Sequence, residues 1–228
     1  MLLEVIATSI DDVRRAVSGG ADRIELCTGL KEGGMTPSLG LIEAAVQASS
    51  VPLHVLIRPH SLSYFYEEDD IRVMIRDIRH AKLAGAAGIV IGALTRENRV
   101  DEKTLRILLD EAGGLNVTFH RAFDEARDLD EALEALLAFP QVSRILTSGG
   151  KPSILEAIGT IAELQRKTRG TAITILAGAG LTVPGYSEFV RRTSVTEVHF
   201  GRGVRVNSST EGPVDPELVR TVKGYEPT

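Results

Sequence analysis

Tryptophan is absent, cysteine occurs once and methionine three times, and aromatic residues make up only 4% of the 228-residue chain. One cysteine cannot close an internal disulfide, and that usage fits a reducing compartment, so a cytoplasmic location is expected. CxxC pairs and methionine clusters, the usual equipment of Cu(I) carriers, are missing too. Acids outnumber Lys plus Arg by 31 to 26, giving a net charge of −5. The basic residues are scattered, and without a basic stripe a nucleic-acid partner is not expected. No apolar run approaches the roughly 18 residues of a membrane span. The start "MLLEVIATSIDD" lacks the basic residues and cleavage site of a signal peptide.

What is present is a repeating pattern. Short apolar runs recur at 2–7, 23–27, 53–58, 88–92, 116–121, 143–147, 172–177 and 196–200, each followed by a helix-like segment. In "DDIRVMIRDIRHAKLAGA" the residues Ile71, Met74, Ile75 and Ile78 form one apolar stripe. "KPSILEAIGTIAELQRK" reads as one helix with Pro152 near its start and a stripe of Ile154, Ile158 and Ile161. "DLDEALEALLAF" puts acids in a first helical turn, where the helix dipole favours them. Strands alternating with helices require a parallel sheet, and about eight units close it. The expectation is a (β/α)8 TIM barrel, one domain over 1–228, with a tail at 206–228 that is part loop, part short helix and frayed at its end. A doubly wound open sheet is the structural rival.

Side chains on a barrel strand alternate between the helix layer and the lumen. If Leu3, Val5, Ile24, Leu26, Leu53, Val55, Ile57, Val117, Phe119, Val198 and Phe200 meet the helices, the lumen collects Glu4, Ile6, Glu25, Cys27, Leu56, Arg58, Thr118, His120 and His199. Apart from Glu4 and Thr118, which sit lower, the polar ones lie toward the strand ends where barrel enzymes place their active sites. An unpaired acid there is costly, and Arg58 is the expected partner of Glu4 or Glu25. The loops add to the cluster. "PHSLSYFYEEDD" carries Tyr64, Phe65 and Tyr66 as a pocket wall or lid, and Ser38 reads as a helix cap. "AGAG" with Gly178 and Gly180, and "GRG" with Gly201 and Arg202, follow strands seven and eight, where many barrels bind phosphate.

The segments "GGADRIELCTGLKEGGMTPSLG" (19–40), "IRP" (57–59), "GALT" (92–95), "VTFHRAFD" (117–124) and "LTSG" (146–149) resemble the CutC family of copper homeostasis proteins over nearly the whole chain. The resemblance implies a cytoplasmic, often oligomeric TIM barrel associated with copper. It maps the family's polar groups onto Glu4, Glu25, Cys27, Arg58, His120, Arg121, Asp124 and His199. The chain departs from the family pattern at Ile6, where many relatives have cysteine, at His60, where they usually have arginine, and at Ala179, which interrupts a glycine triplet.

Two roles of different class are compatible with this set. Cys27 with His120 and His199 would supply soft ligands to a copper ion. Alternatively, Glu25 or Glu4 serves as general base, His120 or His199 as acid partner and Arg58 as anion or enolate binder, with Asp124 supporting and Gly178, Gly180, Gly201 and Arg202 holding a small anionic or phosphorylated ligand. No lysine points inward on a strand, which argues against Schiff-base chemistry.

Overall fold

The computed structural model describes residues 1–225. Eight parallel strands pair in chain order and close on themselves. They are β1 (Leu2–Ala7), β2 (Arg23–Leu26), β3 (Leu53–Leu56), β4 (Gly88–Ile91), β5 (Asn116–Phe119), β6 (Val142–Thr147), β7 (Thr174–Ala177) and β8 (Glu197–Phe200). Around them run α1 (Ile10–Gly19), α2 (Leu39–Ala48), α3 (Glu68–Leu83), α4 (Glu102–Ala112), α5 (Leu129–Leu137), α6 (Ile158–Lys167), α7 (Val183–Thr193) and α8 (Pro216–Lys223). The chain is therefore a TIM barrel rather than an open sheet.

Local chemistry sets the element ends. The Ser9, Ser38 and Asp128 side chains accept backbone N–H groups at the starts of α1, α2 and α5, satisfying donors that the helix leaves free. Every residue assigned to the helix-facing side of the strands is buried in one continuous core. The stripe on α3 is partly as expected: Met74 and Ile78 are fully covered, while Ile71 and Ile75 pack at the edge.

The segment after β6 differs from expectation. Instead of one helix opened by Pro152, a 3-10 turn at Ile154–Glu156 precedes α6. Ser153 caps that turn, and the Ile154 N–H donates to the Ala179 carbonyl, tying it to the loop after β7.

The tail is anchored rather than loose up to α8. Buried Arg205 donates to Asp12 at 2.8 Å, to the Ile6 carbonyl and to the Gly212 carbonyl, while Asp12 also accepts the Val214 N–H. This pins residues 205–214 across the end of β1. The frayed end expected beyond α8 falls on 226–228, outside the described residues. No helix among the described residues is long and apolar enough to cross a membrane.

Candidate active site at the barrel mouth

The floor of the lumen is an ion-pair network. Glu4 on β1 sits level with Arg23 on β2 and His199 on β8. Arg23 donates to Glu4 and to Glu197, 2.7 Å away, and Arg144 donates to Glu197 at 2.8 Å. Arg23, not Arg58, is thus the partner of Glu4. The sequence expectation is corrected here because Arg58 lies beyond the end of β3, well above the level of Glu4. Burial alone would raise the pKa of Glu4, but Arg23 and His199 overcome it and hold the group well below the usual carboxylate range.

One level up, Glu25 has no cation of its own. It is buried, and its Oε2 has no hydrogen-bond partner. Burial, opposed by His199 and reinforced by the charge on Glu4, pushes its pKa up from 4.5 to about 7. His199 lies between the two acids, its Nδ1 2.7 Å from Glu4 Oε1 and 3.6 Å from Glu25 Oε2. Burial would lower its pKa, but the two carboxylates prevail and raise it. The Nδ1–H therefore donates to Glu4, leaving Nε2 as the ring nitrogen available to the cavity. Two acids driven apart in pKa around one histidine are an arrangement that separates acid from base roles.

Above this unit opens a cavity of about 330 Å³, lined among others by Glu25, Arg58, Tyr64, His120, His199 and Arg202. Arg58 is buried, and its guanidinium donates to the Gly34 carbonyl at 2.9 Å and the Glu32 carbonyl at 3.2 Å. Its Nε has no partner, and Tyr64 lies against its face at 4.7 Å. Gly34 makes this hold possible. Its φ is +90°, and a Cβ there would come within 2.7 Å of Leu56. The result is a positive charge fixed by neutral groups, with no ion-pair partner among the described residues.

His120 opens a 3-10 turn at Arg121–Glu125, and its Nδ1 accepts the Ala122 N–H at 3.1 Å. The ring leans against Tyr64, centroids 5.0 Å apart and planes tilted by 49°. On its other side is Gly92, where a Cβ would come within 2.5 Å of the imidazole. Its Nε2 is buried without a partner, and burial together with Arg58 pushes its pKa down to about 3. Of the three expected wall aromatics, Tyr64 alone lines this cavity. Phe65 covers Arg96, and Tyr66 is buried beside His60.

Gly180, Gly201 and Arg202 line the cavity as expected, but Gly178 does not; it packs against Leu146 and His199 instead. Asp124 is turned away from the cavity. It accepts Thr147 Oγ1 at 2.5 Å and the Ser148 and Gly150 N–H groups at 3.0 Å, and it holds Arg121 at 2.9 Å, so it shapes the loop after β6.

The donors expected to bind copper do not fit the ion. Cys27 does not itself line the cavity but packs with Leu56 and Val90 in an apolar cluster behind its wall, and burial pushes its thiol pKa far up, away from the thiolate that a metal needs. On His120, Nδ1 is occupied by a backbone N–H, so Nε2 carries the proton and offers no lone pair. Among the described residues, the ligand atoms that do converge belong to Glu4, Glu25 and His199. That trio is rich in oxygen, and its Glu4 is already held by Arg23 and His199.

Sequence reasoning missed Arg23, His54, Arg144 and Glu197. Strand parity signals three of them: Arg23 lies two before Glu25, Glu197 two before His199, and His54 two before Leu56. His54 is buried with its pKa pushed down to about 4, chiefly by burial.

The chain as a whole is similar to known proteins. The CutC family profile matches residues 1–204. A family protein CutC from Mesorhizobium japonicum is 43% identical over 87% of this chain and 76% of its own length. A human relative named copper homeostasis protein cutC homolog is 41% identical over 87% of this chain and 72% of its own. The crystal structure of a CutC protein from Streptococcus agalactiae covers 88% of this chain and 98% of that one at 32% identity, with a TM-score of 0.83. Phosphoribosylanthranilate isomerase from Pyrococcus furiosus, at 16% identity and a TM-score of 0.62 over 99% of this chain and all of its own, shares the fold alone. On the extent of the profile match and the identity to its relatives, the chain belongs to the CutC family.

Proposed function

We propose that the barrel mouth is the active site of an enzyme that moves protons on a small anionic substrate. One observation carries this reading: Glu25, Arg58 and His120 each present a buried, unpartnered polar atom and line the same cavity. Leaving such atoms unpaired destabilises a fold, and a bound ligand is what satisfies them. Glu25 is the base, its charge balance set by neighbouring His199 and Glu4, and Arg58 holds the anion. The test is incubation with small carboxylates and phosphates in D2O, reading deuterium incorporation by mass spectrometry. The expected result is exchange that Glu25→Gln abolishes and Arg58→Met weakens through KM. Exchange unaltered by both substitutions, or none with any compound offered, overturns the reading.

A second reading follows the name of the human relative, a role in copper homeostasis. Because the donor set is wrong for Cu(I), such a role in this chain runs through the chemistry of the cavity. In a copper-sensitive strain that lacks the protein, Cys27→Ala should restore tolerance as well as wild type does, and Glu25→Gln should not. The opposite pattern reinstates a thiolate copper site. A cytoplasmic location and a homo-oligomeric state are carried as proposals alongside these roles.

A further inference from the structure

His120 and Arg58 are neighbours at the cavity, and both hold their hydrogens in place by donating to or accepting from backbone. We propose that His120 is a permanently neutral electrophile that presents Nε2–H, beside Arg58, to a substrate oxygen gaining negative charge, so that the reaction runs through an enolate and the substrate is a small carboxylate with a carbonyl next to an acidic C–H. The inference rests on the proton-transfer reading of Glu25 above.

The geometry decides the tautomer. The Ala122 N–H points at Nδ1, so Nδ1 must be bare, and the ring proton sits on Nε2. Turning the ring over would set a C–H against the Ala122 N–H and orphan it. The slot between Tyr64 and Gly92 holds the plane of the ring. Protonating Nδ1 would place two N–H groups head to head, which explains why burial and Arg58 keep the ring neutral. A neutral imidazole donating to an oxygen polarises a carbonyl without delivering its proton outright. Arg58 contributes the charge, and its unpartnered Nε is the group available to a carboxylate.

The electron flow balances within this set. The Glu25 carboxylate takes the proton from carbon. The C–H electron pair becomes a carbon–carbon double bond, and the carbonyl π pair moves onto oxygen, where His120 Nε2–H and Arg58 receive it. Return of the proton from Glu25 to carbon regenerates the enzyme without any oxidant or reductant.

The test uses the wild-type protein with 15N-labelled histidine and oxalate, a planar mimic of a 2-oxo acid enolate. Ring 15N shifts should show His120 as the neutral Nε2–H form from pH 5 to 9. Oxalate should move that N–H proton strongly downfield, and Arg58→Gln should weaken oxalate binding about tenfold or more. Oxalate that binds through Arg58 while the His120 signal stays unmoved, or a His120 that carries its proton on Nδ1, overturns the role of His120 and leaves the Glu25 reading standing. Oxalate that binds equally well to Arg58→Gln, or not at all, removes the substrate class as well as the anion site.

Discussion

Arg23 and Arg58 come from neighbouring strands of one lumen and are equally buried, yet they live in opposite environments. At the floor, Arg23 bridges Glu4 and Glu197, and Arg144 extends the network. At the mouth, Arg58 meets backbone carbonyls, the face of Tyr64 and neighbouring Tyr66 but no carboxylate among the described residues, and the nearby acid, Glu25, is left without a hydrogen bond on Oε2. The floor pairs its charges with one another; at the mouth they stand unpaired, and there the proposed ligand would bind. Burial of a charge therefore does not tell structure from function. Whether the charge has a partner does.

Exchanging the partners should break this contrast most visibly. Arg23→Met leaves Glu4 and Glu197 buried without their cation, which should cost about 3–5 kcal/mol and drop the Tm by 10 °C or so. Arg58→Met leaves neutral carbonyls rather than buried charges without a partner, so a smaller loss of about 1–3 kcal/mol is expected, with ligand binding lost while the fold persists. Thermal unfolding of the two variants side by side checks the ranking, and equal losses would erase the distinction between floor and mouth.

Next in size is the pH response of Glu25. Its pKa rises on folding from 4.5 to about 7, so the stability it contributes is full below pH 4.5 and is lost as the pH climbs through 7. The raised pKa of His199 acts in the same direction, whereas the lowered pKa of Glu4 contributes above pH 4.5 and is lost in stronger acid. His54 and His120, whose pKa values fall on folding to about 4 and about 3, act the other way and add stability as the pH rises to 6.5, so the Glu25 share alone should decline by on the order of 2 kcal/mol between pH 5 and 8. Glu25→Gln should flatten that decline, raising the Tm by about 5 °C at pH 8 and hardly at pH 5, while abolishing activity. A Tm difference independent of pH would mean that Glu25 is not the titrating group.

A smaller effect sharpens the description of the mouth. Gly92→Ala drives a methyl group into the His120 ring, and the overpacking should cost about 1–2 kcal/mol. The His120 ring signals should shift while those of His199 stay in place. The smallest effect concerns Ala179, which sits at φ +71° in the loop after β7. Ala179→Gly relieves a left-handed alanine and should raise the Tm by about 2 °C, net of the greater chain entropy of glycine. An unchanged or lower Tm would show that the loop is not strained there.

Much of this could be read before any coordinates. Strand and helix alternation carries the barrel, because only a parallel sheet accommodates that order. Two-residue parity on the strands carries the inward set of Glu4, Glu25, Arg58, Thr118, His120 and His199, because helix-facing positions are plain aliphatics. Parity also contains Arg23, His54 and Glu197, two positions before Glu25, Leu56 and His199. Cys27 illustrates the limit. It follows Glu25 at the right spacing and turns inward as parity requires, but only the structure shows that its neighbours there are apolar, Leu56 and Val90 with Ile6 and Leu30 beside them.

By itself, then, the amino-acid order determined the closed barrel and the identity of the residues that enter its lumen, since periodicity and burial preference are local properties of the chain. Only the tertiary structure decided the partners: Glu4 with Arg23 rather than Arg58, His120 with the Ala122 amide, Arg58 with loop carbonyls, and Glu25 with no hydrogen-bond partner on Oε2. Pairing depends on the stagger of strands around the barrel and on where glycine loops turn back. Those are distances through space between residues far apart in sequence, and no local pattern encodes them.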